Sequence, residues 1–186
     1  MILSYNALRQ RVQNKMVQPV PDAHVNPSSI DVRLGGIVLE ELRLDDLPED
    51  ELTVLDLGKR EPMACTEISI SEEPYLLYPG CFVLAHTLEH FDLPLDVSAE
   101  FRLKSSAARM GLNHNLAVWC DPGWHGSTLT LELHNVSKYH IIALRAGDRI
   151  GQMVFHQHDP VPKDRSYRAT GAYNDDLSAS GAKPAK

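Results

Sequence analysis

Short apolar runs separated by turn residues fill most of this chain, and no other feature constrains the fold as strongly. Pro-Gly, Ala-Gly and Asp-rich turns break the runs at spacings typical of antiparallel strands. One short helical pattern comes first, where Ser4 can cap a helix with Tyr5, Leu8 and Val12 near one face. The pattern disfavours alternating strands and helices and predicts a mainly β barrel, sandwich or jelly roll with a short N-terminal helix. We expect strands at residues 29–34, 52–57, 65–70, 75–78, 81–88, 97–103, 128–134, 139–144 and 149–156.

The composition fits one globular domain and disfavours several kinds of partner. Hydrophobic residues make up 43% of the 186 residues, which is ample for a core. The net charge of −7 disfavours a nucleic-acid polymer or an anionic membrane as partner, because both need a basic face. No apolar run approaches the roughly 18 residues of a membrane span, and the first residues lack the order of a signal peptide. We therefore expect a cytoplasmic protein.

The two ends of the chain differ in composition, which bounds the domain. We expect a single domain over residues 1–173 and a disordered tail over 174–186, which is rich in Ala, Ser, Gly, Asp and Lys. An acidic run at 44–51 predicts a solvated surface loop. Three widely spaced cysteines suit neither a disulfide framework nor a zinc site, so we interpret them as reduced thiols.

A cluster of Lys104, Ser105, Ser106 and Arg109 has the residue types that hold phosphate. Two serines open a stretch able to form a helical turn, whose free N–H groups and hydroxyls can bind phosphate oxygens while the bases add charge. The alternative is a plain serine cap flanked by surface bases. The residues alone leave both interpretations open.

Glu132 is a single carboxylate on a strand of alternating polarity. Thr128, Thr130, Glu132 and His134 share one predicted face, and leucines occupy the other. Inside a cleft, loss of water would raise the Glu132 pKa toward neutrality and suit it to general acid/base catalysis. On an ordinary half-buried strand, the same face would simply meet solvent.

The turn at 121–126 and the segment before the tail add candidate contacts. Trp124 can stack on a sugar or base and Asp121 can bind a ribose hydroxyl, although a hairpin turn with the indole against the core explains the same residues. Tyr167 and Arg168 lie in a basic-aromatic segment able to close over a phosphate tail. The chain carries no H-E-x-x-H, zinc-deaminase or P-loop motif, so we predict no metal held by protein ligands.

Taken in order, these segments resemble the dCTP deaminases of the dUTPase-like superfamily. The resemblance runs from about Ser29 to Gly171 and covers most of the chain. Each motif is modest singly, and their order makes the match specific. The motifs are SIDVRLG at 29–35, YLLYPGCFVLAHTLEHFDLPL at 75–95, KSSAARMG at 104–111, DPGWHG at 121–126, LELHN at 131–135 and AGDRIGQMVF at 146–155.

The resemblance implies a fold, an assembly and a reaction. It implies a distorted β-barrel or jelly roll that forms a homotrimer with active sites between subunits. The implied reaction is hydrolytic deamination of dCTP to dUTP and ammonia without zinc, with Mg²⁺ bound through the nucleotide triphosphate and dTTP as an inhibitor. Some members hydrolyse dUTP further, so a bifunctional enzyme giving dUMP and pyrophosphate is an alternative. A nucleotide-binding regulatory homologue without turnover is another. A plain dUTPase is disfavoured, because its Asp-x-Asp-Tyr turn is replaced here and Glu132 is present.

The resemblance also assigns roles to residues. Glu132 matches the general acid/base, and Ser105 and Arg109 match residues that hold the catalytic water and nearby phosphates. Ala117 matches a position whose backbone carbonyl faces the base. The expected substrate-binding residues are Lys104, Ser106, Asp121, Trp124, Gln152, Tyr167 and Arg168.

Around the turn, the chain departs from the family spacing. The interval from Gly111 to Asp121 is one residue shorter than the family pattern, and that from Gly126 to Glu132 is one residue longer. Because a one-residue slip turns a strand side chain to the opposite face, we expect a β-bulge near Ser127. Leucines also replace the usual glycine at 103 and threonine at 116.

Overall fold

The computed structural model describes residues 1–42 and 54–183, which form a mainly β protein. Three helices are present in this part of the chain, namely α1 (Tyr5–Gln13), α2 (Ser105–Arg109) and α3 (Tyr167–Thr170), with 3-10 turns at Asp22–His24 and Lys163–Arg165. None of these helices is long and apolar enough to cross a membrane. The strands are β1 (Val17–Gln18), β2 (Ile30–Arg33), β3 (Ile37–Glu41), β4 (Cys65–Ser69), β5 (Tyr75–Leu77), β6 (Phe82–Asp92), β7 (Val97–Leu103), β8 (Leu112–His114), β9 (Trp119–Cys120), β10 (His125–Asn135), β11 (Ile142–Leu144) and β12 (Arg149–Gln157).

The strands pair into three antiparallel sheets around one core. The largest sheet has the order β4-β3-β6-β10-β8, with β1 also paired to β6. The second has the order β2-β12-β7-β9, and β5 pairs with β11 in a small third sheet. One continuous cluster of buried side chains draws on both larger sheets, and its largest fully buried members include Phe91, Phe101, Leu131, Met153 and Phe155. The predicted mainly β architecture is therefore confirmed.

The predicted elements agree with the structure best where alternation is strong. The strand predicted at 97–103 has those bounds in the structure, and the helix after Ser4 is α1. The strand predicted at 52–57 is wrong for residues 54–57, which form a loop and the start of a turn. Residues 52 and 53 and the acidic run at 44–51 lie outside the described residues. The strands β1, β3, β8 and β9 were not predicted; three of them span only two or three residues.

An ion pair joins the two larger sheets at one edge. Glu89 of β6 is fully buried, and its carboxylate accepts hydrogen bonds from the backbone N–H of Arg33 at 2.8 Å and from Arg33 Nε at 2.7 Å. The Arg33 guanidinium also donates to the carbonyl of Pro19 at 3.0 Å. Both charges thus have partners, as a buried carboxylate requires.

Residues 174–183, part of the expected disordered tail, lie against β10. The backbone N–H of Thr128 donates to the carbonyl of Asp176 at 2.7 Å, and the N–H of Ser180 donates to Thr130 Oγ1 at 3.3 Å. Within the segment, Lys183 Nζ binds the Asp176 carboxylate at 2.6 Å. These bonds hold the segment beside the strand that carries Glu132.

Replacing Glu89 with alanine should lower the free energy of unfolding by about 3 kcal/mol, because the Arg33 guanidinium would stay partly buried without its carboxylate. Urea unfolding at one fixed protein concentration measures this loss. Glu67→Ala is the matched control, since Glu67 is exposed on β4 and should change stability by less than about 0.5 kcal/mol. Equal losses in the two variants would contradict a structural role for the pair.

Candidate active site

A cavity of about 520 Å³ opens beside one face of β10. Its size is in the range of small-molecule sites. The walls come from β6, from β10, from β9 and the residues on either side of it, and from the C-terminal residues that lie against β10. The residues that line it include Phe82, Leu84, Ala117, Trp119, Cys120, Asp121, Trp124, Thr128, Leu129, Thr130, Glu132, Tyr167, Tyr173, Asp176, Ser180, Gly181 and Ala182.

Glu132 lies on the cavity wall, on β10, which is paired with β6 on one side and β8 on the other. It is opposite Leu84 of β6, and its carbonyl accepts a hydrogen bond from the N–H of Asn115 at 3.0 Å. Its neighbours Leu131 and Leu133 are fully buried on the other face, as the alternation predicts. Burial raises the pKa of the Glu132 carboxyl to about 7. A carboxyl with that pKa can both accept and donate a proton near neutral pH.

An irregularity in β10 falls where the spacing of the sequence predicts one. His125 is opposite Asp92 and Ser127 is opposite Phe91, so the ladder shifts register between them. A second shift lies between Thr128 and Thr130, and Leu129 there lines the cavity with Glu132, contrary to the predicted alternation. Gly126 takes a left-handed conformation at φ +64°, which glycine adopts without strain. The predicted bulge near Ser127 is confirmed.

Trp124 has a mainly structural environment even though it borders the cavity. Its side chain is only 5% exposed and stacks on Phe91 with ring centres 5.3 Å apart. Its indole N–H donates to the carbonyl of Tyr173 at 2.7 Å, which ties the turn to the C-terminal segment. Trp124 is thus packed in the core, as one sequence interpretation expected, and also has an edge at the cavity, as the ligand-stacking interpretation requires.

Trp119 is an aromatic of the cavity wall that the sequence patterns did not indicate. It is 57% exposed, and its indole N–H donates to Asp121 Oδ1 at 3.0 Å. Asp121 therefore lies at the cavity as expected, with one oxygen already engaged. The strand β9 that presents Trp119 is two residues long, too short for a periodic pattern to reveal.

Ala117 and Tyr167 line the cavity, whereas Arg168 is not among its lining residues. Ala117 is exposed, and its N–H donates to the carbonyl of Asn115 at 2.9 Å. Burial is the main cause that raises the pKa of the Tyr167 hydroxyl, so the group stays protonated and can donate a hydrogen bond. Arg168 is exposed on α3.

His114 approaches Glu132 from the neighbouring strand, and sequence reasoning missed it. Its Nε2 lies 3.5 Å from Glu132 Oε2, and the residue is only 6% exposed. Burial lowers the pKa of the imidazole, which favours the neutral ring. No motif marks His114; only the pairing of β8 with β10 brings it to this position.

Lys104 forms an ion pair with a buried carboxylate on β2, in the second large sheet. Its Nζ lies 2.7 Å from Asp31 Oδ1, and Asp31 also accepts hydrogen bonds from Asn26 at 2.8 Å and Arg149 at 3.3 Å. Burial acts to raise the Asp31 pKa, but the hydrogen bonds from Lys104 and Asn26 outweigh it, and the pKa is lowered. These four residues form what we call the Asp31 cluster.

Gln152, an expected nucleotide contact, borders the Asp31 cluster. It is opposite Asp31 in the ladder between β12 and β2. Its side-chain Oε1 accepts a hydrogen bond from Ser29 Oγ at 2.8 Å. Gln152 is absent from the lining of the cavity around Glu132.

The predicted phosphate-binding residues lie apart from the predicted acid/base. Ser105, Ser106 and Arg109 are exposed on α2, and a second cavity of about 320 Å³ is lined by Lys104, Ser106 and Arg149 among others. The cavity that contains Glu132 is lined by none of the four predicted phosphate-binding residues, Lys104, Ser105, Ser106 and Arg109. Within one chain, the structure does not bring the two sets together.

Within residues 1–42 and 54–183, no group of three or more His, Cys, Asp or Glu side chains is arranged to hold a metal ion. Asp31 is occupied by the cations around it, and Glu132 is beside His114. Neither carboxylate forms part of a three-ligand set.

Comparison with known proteins gives consistent results. A family model described as dCTP deaminase-like matches residues 2–158. A protein of Nanoarchaeum equitans named "dCTP deaminase, dUMP-forming" is 31% identical, and the alignment covers 95% of this chain and 98% of that protein. A protein of Beutenbergia cavernae with the same name is 37% identical over 90% of this chain and 84% of that one. A solved 2'-deoxycytidine 5'-triphosphate deaminase from Agrobacterium tumefaciens superposes with a TM-score of 0.64 at 25% identity. It covers 84% of this chain, which spans about half (48%) of that longer chain.

Replacing Glu132 with glutamine should stabilise the protein at pH 8 and leave it unchanged at pH 4. The folded carboxyl has a raised pKa, so between about 4.5 and 7 the folded state binds more protons than the unfolded state, and native stability falls as pH rises. Glutamine mimics the protonated acid and removes this loss, which we expect to reach about 2 kcal/mol at pH 8. Urea unfolding at pH 4, 6 and 8 measures it.

Glu67→Gln is the matched control, because Glu67 is exposed on β4 and should show no such pH dependence relative to the native protein. A constant difference between Glu132→Gln and native protein across the three pH values would contradict the raised pKa.

Proposed function

The chain belongs to the dCTP deaminase-like family, and we propose that it converts dCTP to dUMP, ammonia and pyrophosphate. The dUMP-forming names of the relatives support this bifunctional reaction over the release of dUTP, which was the main expectation from sequence. The substrate in this proposal is the magnesium complex of dCTP, in which phosphate oxygens hold the ion.

The position of Glu132 carries the deamination step. Its carboxyl lies in the cavity and has a pKa near neutrality. As carboxylate it removes a proton from water, whose oxygen bonds to C4 of cytosine. As carboxylic acid it delivers that proton to N3 of the ring. It then transfers the proton of the new C4 hydroxyl to the exocyclic amine, so the bond from C4 to that nitrogen breaks and ammonia leaves with dUTP as product. Because no metal activates the water in this proposal, a positioned base is required.

The second step is hydrolysis at the α-phosphorus. A water oxygen forms a bond to the α-phosphorus, and the bond from that phosphorus to the bridging oxygen of the β-phosphate breaks. The products are dUMP and pyrophosphate. Charged and hydroxyl groups suited to bind the phosphates are the four residues Lys104, Ser105, Ser106 and Arg109.

The separation of the two residue sets supports a site that is completed by a second copy of the chain. The exposed α2 residues Ser105 and Arg109 do not line the cavity of Glu132 in their own subunit. A homotrimer would join the α2 residues of one subunit to the Glu132 cavity of the next, since a cyclic assembly repeats one such contact around its axis. In such a site dTTP, which shares the deoxyribose and triphosphate, would compete with dCTP.

Purified protein incubated with dCTP and Mg²⁺ should release ammonia, dUMP and pyrophosphate, separable by chromatography. Glu132→Gln should reduce ammonia release by about 10³-fold, because general acid/base catalysis of the attack on C4 is lost. Glu67→Gln should retain native activity, which controls for the loss of a surface carboxylate.

Accumulation of dUTP without dUMP would overturn the second step and leave a deaminase. Unreacted dCTP that binds the protein would instead indicate a regulatory homologue, and would overturn the proposed reaction altogether.

Two inactive variants should restore activity when they are unfolded together and refolded. In a site built from two subunits, the Arg109→Ala chain supplies Glu132 and the Glu132→Gln chain supplies Arg109. Random assembly then rebuilds about a quarter of the sites. Ammonia release from the mixture, compared with each variant refolded alone, measures this recovery. No recovery in trimers shown by mass to be mixed would contradict a shared site.

A further inference from the structure

We propose that His114 is a positioning residue, whose Nε2–H donates a hydrogen bond to Glu132 Oε2 and holds the carboxyl with its other oxygen toward the cavity. The role deepens the proposed deamination and rests on it. His114 itself touches no substrate in this proposal; it acts through Glu132.

The backbone fixes both residues at the same place. His114 is opposite Leu133 in the ladder between β8 and β10, one residue from Glu132. The next bond along, from the N–H of Asn115 to the carbonyl of Glu132 at 3.0 Å, closes the ladder beside the pair. Residues directly opposite in a ladder share a face, so the register alone would place the His114 side chain on the Leu133 face. The distance of 3.5 Å between His114 Nε2 and Glu132 Oε2 shows that the two side chains nevertheless meet where the ladder ends.

Packing restricts the imidazole further. The His114 ring lies 4.8 Å from the Phe101 ring centre, and the side chain is 4% exposed. Nε2 and Glu132 Oε2 are 3.5 Å apart, so a movement of about 0.5 Å gives an ordinary hydrogen bond. A change of that size lies within the reach of a side-chain rotation.

The two atoms lack other partners in the part of the chain that the structure describes. Both Nε2 and Oε2 are buried there without a hydrogen bond, as is His114 Nδ1. In this proposal the proton of the neutral ring is on Nε2, the nitrogen that faces Glu132. Leaving a buried polar atom unsatisfied costs about 1–3 kcal/mol, so a bond between Nε2 and Oε2 removes two such costs at once. Binding to a charged oxygen makes this bond stronger than a neutral one.

Among the described residues, His114 is the titratable side chain that lies within ion-pair distance of Glu132. A hydrogen bond to one oxygen of the Glu132 carboxyl fixes the direction of its other oxygen. Misplacement of a catalytic group by about 1 Å can lower the reaction rate 10²-fold. Other ionisable groups line the same cavity, and these are Glu61, Cys120, Asp121, Tyr167, Tyr173 and Asp176.

Two amide substitutions separate positioning from space filling. Glutamine places its donor near the position of Nε2, whereas asparagine reaches only the position of Nδ1. We expect His114→Asn to lower kcat for ammonia release from dCTP by about 10- to 100-fold with KM within about twofold, and His114→Gln to recover about tenfold of that loss. His140→Gln is the control, because His140 is exposed and does not line the Glu132 cavity.

A second measurement does not depend on turnover. The Glu132 pKa, followed by the ¹³C resonance of its side-chain carboxyl, should rise by about 1 in His114→Asn, because a hydrogen bond to the charged form is lost, and should return toward the native value in His114→Gln. If native protein leaves dCTP unchanged, the proposed reaction is wrong, but this titration still tests the hydrogen bond between His114 and Glu132. Equal pKa values in native and His114→Asn proteins, or equal kcat values in the two amide variants, would overturn the proposal.

Discussion

The pairing of β10 with β6 positions Glu132 and the strand wall of the cavity that contains it. Among the described residues these are the two longest strands, and their ladder runs from His125 opposite Asp92 to His134 opposite Phe82. Register shifts between His125 and Ser127 and between Thr128 and Thr130 precede the regular part of the ladder, in which Glu132 is opposite Leu84. The free edge of β10 then accepts β8, and the C-terminal residues bond to its backbone and hydroxyl groups. The positions of Glu132, of the neighbouring His114 imidazole and of the C-terminal segment beside them all depend on β10 and its pairing.

Burial of the Glu132 carboxyl on β10 suits it to proton transfer but lowers the stability of the folded protein at high pH. Water is partly removed from Glu132, which raises its pKa and makes the carboxyl a proton donor as well as an acceptor near neutral pH. The same desolvation acts on His114 in the opposite direction and keeps its ring neutral. By contrast, the fully buried Glu89 keeps two hydrogen bonds from Arg33. The two carboxyls differ in their partners: Arg33 donates two hydrogen bonds to Glu89, whereas Glu132 Oε2 is buried without one among the described residues.

The Asp31 cluster gives the predicted phosphate-binding region a different electrostatic character from that of the Glu132 cavity. Asp31 is almost fully buried and holds Lys104 and Arg149, so part of the positive charge near α2 is neutralised within the subunit. Ser105, Ser106 and Arg109 are exposed on α2, whereas Lys104 is half-buried. The exposed part of the predicted phosphate-binding set is therefore on a surface separate from the Glu132 cavity of the same subunit.

Local patterns in the sequence determined the mainly β class and the alternation around Leu131 and Leu133, because these depend on neighbouring residues only. The expectation of a bulge near Ser127 came from the spacing of the family motifs. The order of the motifs determined the family. The tertiary structure alone decided the placement of His114 beside Glu132 and of Trp119 on the cavity wall. It also separated the residues of α2 from that cavity. The physical reason is that contacts between strands distant in the chain, such as Asp31 with Lys104, arise from sheet pairing and packing, which leave no local periodicity to read.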